Sequence, residues 1–154
     1  MLICTAKLSK GKLALMLGVA AAAVLLGVLF LRGGGGEGEA AAPILRNNAD
    51  RVAYLRELGW EVEEEPLESF RFLLPEPLEE PFLSYNALQI PQGFDLGDYC
   101  GQQVERYTYA VTNYPDRPSG VQANLYLCEG RPVAGDLFCP GANGFQEMLI
   151  RSDG

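Results

Sequence analysis

Hydrophobic and polar residues are distributed very unevenly along this 154-residue chain. Residues 13–31 form an apolar run without a single charge, whereas apolar and polar residues alternate, or recur at short spacing, after residue 44. At about 1.5 Å per helical residue, the apolar run spans about 28 Å, which is close to the thickness of a bilayer's hydrocarbon core. The pattern therefore predicts a transmembrane helix over residues 13–31.

Apolar residues occur at helical spacing twice in the C-terminal part. A first short helix is predicted by three apolar residues at a spacing of three: Val52, Leu55 and Leu58. Asn48 is suited to cap its beginning and Gly59 to cap its end. A second helix is predicted before Pro91 and Gly93, from four residues that fall on one helical side: Phe82, Tyr85, Leu88 and Gln89.

An alternation of period two predicts β-strands in the remainder of this part. Tyr107, Tyr109 and Val111 alternate with polar or small residues, and the segment "VQANLYL" (121–127) carries its apolar residues on one face. Glu129 and Gly130 predict a hairpin turn into a third strand, "PVAGDLF" (132–138), and "LESFRFLLP" (67–75) predicts a shorter strand. We therefore expect an α+β domain in which an antiparallel sheet is covered on one face by one or two helices. The final segment, from Gly141 onward, is too short to assign.

Flanking residues define the order of the segments and their orientation. Residues 1–12 contain three lysines and precede the apolar run, which only Arg32 follows closely. Because positive charge stays on the cytoplasmic side, residues 1–12 are predicted to be a cytoplasmic tail. Residues 32–43 are glycine-rich and predict a flexible linker, and residues 44–154 predict one extracytoplasmic domain. The expected location is the cell membrane, with a single span.

A cleaved secretory signal is the alternative interpretation of the N-terminal segment. Such signals have an apolar core of about 7 to 15 residues, followed directly by a cleavage site with small residues. Here Arg32 and four glycines follow the apolar run, and the nearest Ala-x-Ala, at residues 40–42, precedes Pro43. These features favour an uncleaved anchor.

The charge balance limits the expected partners, and the absence of histidine limits the catalytic and metal-binding sites that the chain can form. All 20 acidic residues follow Arg32, as do eight of the 12 basic residues, so nucleic acid is not expected as a partner. The densest acidic cluster is Glu61, Glu63, Glu64 and Glu65; a solvated turn or strand end is favoured over a calcium site, which would interleave Asp, Asn and Gly ligands. The chain contains no histidine, no CxxC spacing and no phosphate-binding loop. We predict no catalytic, cofactor-binding or metal-binding residues and no cofactor.

Three of the four cysteines lie in the predicted domain, whereas Cys4 precedes the predicted span. A two-residue turn would pair Cys128 with Arg131, which places Cys128 and Cys139 far apart along the hairpin. Cys100 would then be the better disulfide partner for either of them. Three unpaired thiols are the equally open alternative.

We expect a membrane-anchored, non-catalytic module that binds an envelope protein or peptide. One alternative is an envelope hydrolase that uses two carboxylates; another is a sensor or structural subunit that acts through its transmembrane helix. A platform for carbohydrate or peptide is a further idea, built on Tyr107, Tyr109, Tyr114 and Tyr126, although tyrosines that alternate in strands more often pack in the core.

Several segments resemble one protein family. They are "RVAYLRELGWEV" (51–62), "YNALQIPQGFDLGDYCGQQVERYTYAVTNYP" (85–115), "VQANLYLCEGRPVAGD" (121–136) and "NGF" (143–145). Together they resemble the domain-of-unknown-function family numbered 4830. The resemblance implies a small protein with an N-terminal membrane segment, found mainly in Firmicutes of the clostridial type. It also implies that cysteines are not typical at these positions, and it brings no known activity or site residues.

Overall fold

The computed structural model of the protein describes residues 41–151. The tail and the transmembrane helix predicted over residues 1–31 lie outside this range, as does nearly all of the predicted linker. Among the residues described, no helix has the length and apolar character needed to cross a membrane. These residues form an α+β domain built on one five-stranded antiparallel sheet and two α-helices.

The sheet contains the three strands predicted from the clearest alternations, the shorter strand predicted over residues 67–75, and one further strand. Each strand pairs antiparallel with the next in chain order. The strands are β1 (Glu68–Leu73), β2 (Gln103–Ala110), β3 (Gln122–Cys128), β4 (Arg131–Cys139) and β5 (Phe145–Met148). β5 lies in the segment that the sequence left unassigned, so both edge strands, β1 and β5, extend the predicted central hairpins.

Helix α1 (Asn48–Glu57) begins one residue earlier than predicted. Its N-cap is Asn47, whose side chain accepts a hydrogen bond of 2.9 Å from the amide of Asp50. Asn48 instead uses its side-chain oxygen to accept a hydrogen bond of 2.8 Å from the hydroxyl of Tyr109. Gly59 lies just past the helix with φ of 91°, as the predicted C-terminal cap requires.

Helix α2 (Phe82–Gln89) continues into a 3-10 turn (Ile90–Gln92) and is tied to the sheet by two glutamines. Gln89 Oε1 accepts a hydrogen bond of 2.9 Å from the amide of Gly135 in β4. Gln92 Nε2 donates to the carbonyl oxygen of Gly135 at 3.0 Å, and Gln92 Oε1 accepts from the amide of Ile150 at 2.9 Å. Side chains of the helix thus satisfy the backbone of β4 where its pairing with β5 ends.

The two helices cover opposite faces of the sheet, which corrects the prediction that one face alone is covered. α1 contacts Tyr109, whereas Tyr85 of α2 packs on Tyr126 at a ring separation of 5.3 Å. Tyr109 lies opposite Ala123 of β3, so Tyr109 and Tyr126 stand on different faces because successive residues of a strand alternate. β3 is buried along nearly its whole length, and two separate clusters of core residues result.

Because both faces of the sheet are covered, the two buried cysteines lie in two separate cores. Glu129 and Gly130 adopt positive φ values of 50° and 77°, as the predicted hairpin turn requires, and Cys128 pairs with Arg131 as expected. Cys128 belongs to the core on the α2 side and Cys139 to the core on the α1 side. Cys100, Cys128 and Cys139 are all free thiols, so the disulfides considered for Cys100 do not form.

Candidate functional site

A groove of about 560 Å³ opens between helix α2 and its face of the sheet. Its walls consist chiefly of five aromatic side chains, and Arg106 lies among them. We call it the aromatic groove and define it by Phe70, Phe72, Phe82, Tyr85, Tyr126 and Arg106. Concave sites with apolar walls and a few polar groups are the usual form of a binding site.

The aromatic rings of the groove form one connected wall. Phe72 stacks on Phe82 at 5.5 Å and meets the edge of Tyr126 at 6.3 Å. Phe70 lies 5.5 Å from Phe72 on the outer side, and Tyr85 lies 5.3 Å from Tyr126 on the inner side. Rings at these separations support one another, so the wall is preorganised.

Local structure explains why these rings converge. Phe70 and Phe72 are two residues apart in β1 and therefore project from the same face of the sheet, where they lie opposite Arg106 and Val104 of β2. Phe82 and Tyr85 are three residues apart in α2 and therefore share one side of the helix. The groove is the space left where this helix side approaches that sheet face.

Arg106 places a positive charge in the groove. Its guanidinium carbon lies 4.3 Å from the centre of the Phe70 ring, and one of its terminal nitrogens pairs with Glu68. Its Nε atom is buried and has no hydrogen-bond partner among the residues described. Glu68 is well exposed, so the ion pair lies at the rim, where solvent weakens it.

A buried carboxylate lies beneath the groove. Asp136 of β4 is fully buried and accepts hydrogen bonds from Tyr85 at 2.6 Å, from Asn124 at 3.2 Å and from Gln146 at 3.2 Å. Thr108 donates to Asn124 at 2.7 Å and extends the network across the sheet. All three groups donate to Asp136, which suits the ionised acid because that form only accepts hydrogen bonds.

Burial governs the protonation of this network. Burial raises the pKa of the Asp136 carboxyl above its ordinary value, although the hydrogen bonds from Tyr85, Gln146 and Asn124 act in the opposite direction. Burial, followed by the nearby charge of Asp136, raises the pKa of the Tyr85 hydroxyl well above its ordinary value. Tyr85 therefore keeps its proton and remains a donor at neutral pH.

The lining of the groove is apolar and aromatic apart from a few polar side chains. No Asp or Glu is among the residues, within the described part of the chain, that line it. Asp136 lies below the lining and is occupied by three donors. A pair of carboxylates facing a cleft, which glycoside hydrolysis requires, is not assembled here.

A second cleft, of about 750 Å³, lies near Trp60 at the β5 edge. The rings of Trp60, Tyr114 and Phe145 stack in a row at separations of 6.0 and 5.0 Å. Arg151 covers the Trp60 end and Arg117 the Phe145 end. Glu147 also lines this cleft, whereas no acidic side chain is among the described residues that line the aromatic groove.

The four tyrosines considered as a platform do not form one surface. Tyr107 and Tyr109 lie on the α1 side, where Arg51 covers the Tyr107 ring and Tyr109 is fully buried. Tyr114 belongs to the stack at Trp60, and Tyr126 alone lines the aromatic groove. The prediction that Tyr107 and Tyr109 share one face of the sheet is correct. The four tyrosines nevertheless do not form the platform that was considered.

The acidic cluster that the sequence singled out lies in solvent. Its members, Glu61, Glu63, Glu64 and Glu65, are all exposed. Within residues 41–151, no group of three or more His, Cys, Asp or Glu side chains is arranged to hold a metal ion. A solvated turn, the favoured interpretation, accounts for their placement.

Sequence reasoning missed the residues that make the groove. Phe70, Phe72 and Arg106 were assigned only to strands, and nothing in their spacing pointed to a shared site with α2. Asp136 did carry a signal, because it is the one charged residue in the otherwise apolar and glycine-containing segment "PVAGDLF". A charge at a position predicted to be buried indicates a polar network.

Comparison with known proteins yields one match. The family model described as "Domain of unknown function (DUF4830)" matches residues 54–137, more than half of the chain. This range includes helix α2, strands β1 to β3 and most of β4, and hence the residues that define the aromatic groove. No curated protein and no solved structure matches the chain.

Proposed function

The chain belongs to the DUF4830 family, and from this premise we propose that it is a membrane-anchored, non-catalytic binding module. Its ligand is an apolar segment of an envelope protein or peptide, and the aromatic groove is where that segment binds. The observation that carries the proposal is the groove itself: a connected aromatic wall around about 560 Å³ that no side chain of the described residues fills.

The composition of the groove supports an apolar peptide segment as its ligand. The aromatic wall offers apolar contact area, and Arg106 is a donor at its margin, whereas the hydroxyl of Ser84 already donates to Glu80 at 2.9 Å. A peptide carbonyl group would accept a hydrogen bond from Arg106. The described residues that line the groove include no acidic side chain although the chain carries a formal charge of −8, so the lining disfavours a cationic ligand.

The membrane anchor in this proposal rests on the apolar run over residues 13–31 and on the lysines that precede it. The N-terminus would be cytoplasmic and the folded domain extracytoplasmic. We expect the full-length chain to remain in the membrane pellet after extraction at alkaline pH. Replacement of residues 13–31 by a polar linker should release it, and unchanged retention of that variant would contradict the anchor.

Site-specific photocrosslinking tests the binding site. p-Benzoylphenylalanine is introduced into the full-length chain in place of Ser84, which lines the groove and is exposed. The matched control carries the same probe in place of Ala87, an exposed residue of the same helix outside the groove lining. We expect a discrete adduct with one envelope protein from position 84 and none from position 87.

Blocking the groove with a bulky side chain is the second test of the binding site. Ser84→Trp places a large side chain at the groove, whereas Ala87→Trp adds the same bulk elsewhere on helix α2. The first substitution should abolish co-purification of the crosslinked partner, and the second should leave it unchanged. Equal adduct yields at positions 84 and 87 would contradict the groove as the binding site. Equal loss of the partner with both tryptophan variants would contradict it as well.

A further inference from the structure

The two edges of the sheet are protected to different degrees. β5 is only four residues long and its exposed positions are Gln146 and Glu147. β1 is six residues long, almost wholly exposed, and carries large apolar side chains. Leu67, Phe70 and Leu73 are 58%, 41% and 69% exposed. A long, apolar, unpaired edge is a template for another strand.

The charges of β1 do not protect this edge. Arg71 pairs with Glu105 at 2.6 Å, and Glu68 pairs with Arg106. Both partners belong to β2, so each charge of the edge strand is matched within the sheet rather than left to repel a neighbour. No proline and no bulge interrupts β1 between Glu68 and Leu73.

Hydrogen bonding at the end of β1 shows which backbone groups face outward. Leu74 donates its amide to Gln102 at 2.9 Å, and its carbonyl accepts from Gly101. Because inward and outward groups alternate along an antiparallel strand, Phe70 and Phe72 also direct their backbone groups toward β2. Those of Ser69, Arg71 and Leu73 are then directed to the open edge. Leu67, just before the strand, departs from this alternation because its amide donates to Thr108 of β2 at 2.7 Å.

We propose that a second copy of this chain pairs with this edge, β1 against β1, antiparallel about a two-fold axis at Phe70. In this register Phe70 lies opposite Phe70 of the second copy, and position 69 lies opposite position 71. Hydrogen bonding between the copies is then confined to positions 69 and 71, because the amide of Leu67 is directed to β2. The proposal does not depend on the proposed function.

The other self-complementary registers fit less well. An axis at residue 71 places Arg71 opposite its own copy, and like charges directly opposite are destabilising. An axis at residue 69 places Leu73 opposite Glu65. An axis at residue 72 brings Pro75, which lacks an amide hydrogen, into the outward hydrogen-bonding positions. The axis at Phe70 places the exposed Phe70 ring opposite its own copy and puts no like charges directly opposite each other.

The dimer joins the two aromatic grooves. A two-fold axis perpendicular to the sheet keeps both α2 faces on the same side of a continuous ten-stranded sheet. Phe70 walls the groove at its outer margin, so the Phe70 rings of the two copies lie between the two grooves. Each copy thus supplies a residue beside the groove of the other.

Disulfide trapping of the full-length chain in cells tests the register. A strand pair of this length is small, below about 1,200 Å², so the dimer is expected to exchange and crosslinking is the suitable measurement. Phe70→Cys should form an oxidised dimer at least about tenfold faster than Ser69→Cys or Arg71→Cys alone, because a disulfide needs Cβ atoms within about 4.5 Å. The unsubstituted chain, with its own four cysteines, gives the background.

Mixed chains make the test independent of Phe70. Co-expression of differently tagged Ser69→Cys and Arg71→Cys chains should produce a disulfide-linked heterodimer, although neither variant alone exceeds the background. Both substitutions are at exposed positions of β1. Self-crosslinking of either single variant at the rate of Phe70→Cys, or a mixed pair that stays at background, would overturn the proposed pairing.

Discussion

The hydroxyl of Tyr85 in helix α2 donates a hydrogen bond of 2.6 Å to the carboxylate of Asp136 in strand β4. This contact joins the helix to strand β4 directly beneath the aromatic groove. A buried carboxylate without sufficient donors is strongly destabilising, so the helix and the charge support each other. The position of one groove wall therefore depends on a polar contact.

Removing the Tyr85 hydroxyl should weaken the domain. Tyr85→Phe keeps the ring beside Tyr126 but takes one donor from Asp136, and we expect the free energy of unfolding to fall by about 1–3 kcal/mol. Tyr99→Phe is the matched control, because Tyr99 packs on the same core without a side-chain hydrogen bond in the described residues. Urea unfolding of the two variants measures the difference; equal losses would contradict this role of the hydroxyl.

The pKa shift of Asp136 predicts a pH dependence of stability. Because its pKa is raised in the folded state, its contribution is fully present below the ordinary pKa of the carboxyl and is lost as pH rises through the folded-state value. Asp136→Asn removes this titration. The stability of the original chain relative to Asp136→Asn should therefore be greater at pH 4 than at pH 7, as measured by urea unfolding at each pH. A difference that grows toward pH 7 would show that the hydrogen bonds outweigh burial.

The thiols should differ in reactivity. Cys100 is half-buried, whereas Cys128 and Cys139 are buried. Burial also raises the pKa of the Cys128 thiol, which lowers the amount of reactive thiolate at neutral pH. Alkylation of the native protein, followed by peptide mass spectrometry, should label Cys100 first and Cys128 later. Full labelling of all three after unfolding without a reductant would confirm free thiols, and a disulfide-linked peptide pair would contradict them.

A side chain at Gly130 should destabilise the domain. It has φ of 77°, and a Cβ atom there would lie 3.2 Å from the side chain of Ile44 and 3.5 Å from the carbonyl oxygen of Leu45. Gly59 has a similar φ of 91° but nothing within 4 Å, so Gly59→Ala measures the backbone strain alone. We expect both substitutions to lower the free energy of unfolding by about 1 kcal/mol or more, with the larger loss for Gly130→Ala. Equal losses would mean that the N-terminal segment moves aside.

Local patterns in the sequence predicted local structure well. The alternation at Tyr107 and Tyr109 identified β2 and its two faces, and Glu129 with Gly130 identified the hairpin, because turn residues and period-two spacing act over a few residues. The N-cap was assigned one residue late, because Asn47 and Asn48 are both suitable caps. Tyr109, which is distant in sequence, determines which asparagine caps the helix, because its hydroxyl donates a hydrogen bond to the side chain of Asn48.

The arrangement of the layers and the groove depended on distant contacts. Strand β3 is buried on both faces of the sheet, and Tyr126 and Cys128 lie on its second face. In the sequence these two residues are only minor departures from the alternation of apolar and polar residues. Phe72 and Phe82 meet because α2 packs on that face, which no periodicity within either segment specifies. β5 is only four residues long, so its sequence carried little signal.

The link from Gln89 and Gln92 to Gly135 also determines how the domain opens. Ordinary strand pairing would let the β5 edge fray separately from the helix, since short edge strands open easily. Here the amides of Gly135 and Ile150 are held by glutamine side chains of the α2 segment, so we expect both amides to exchange their hydrogens with solvent only when that segment detaches. The helix and the end of the sheet should therefore form one cooperative unit of local unfolding, in which the wall of the groove opens together with the edge of the sheet.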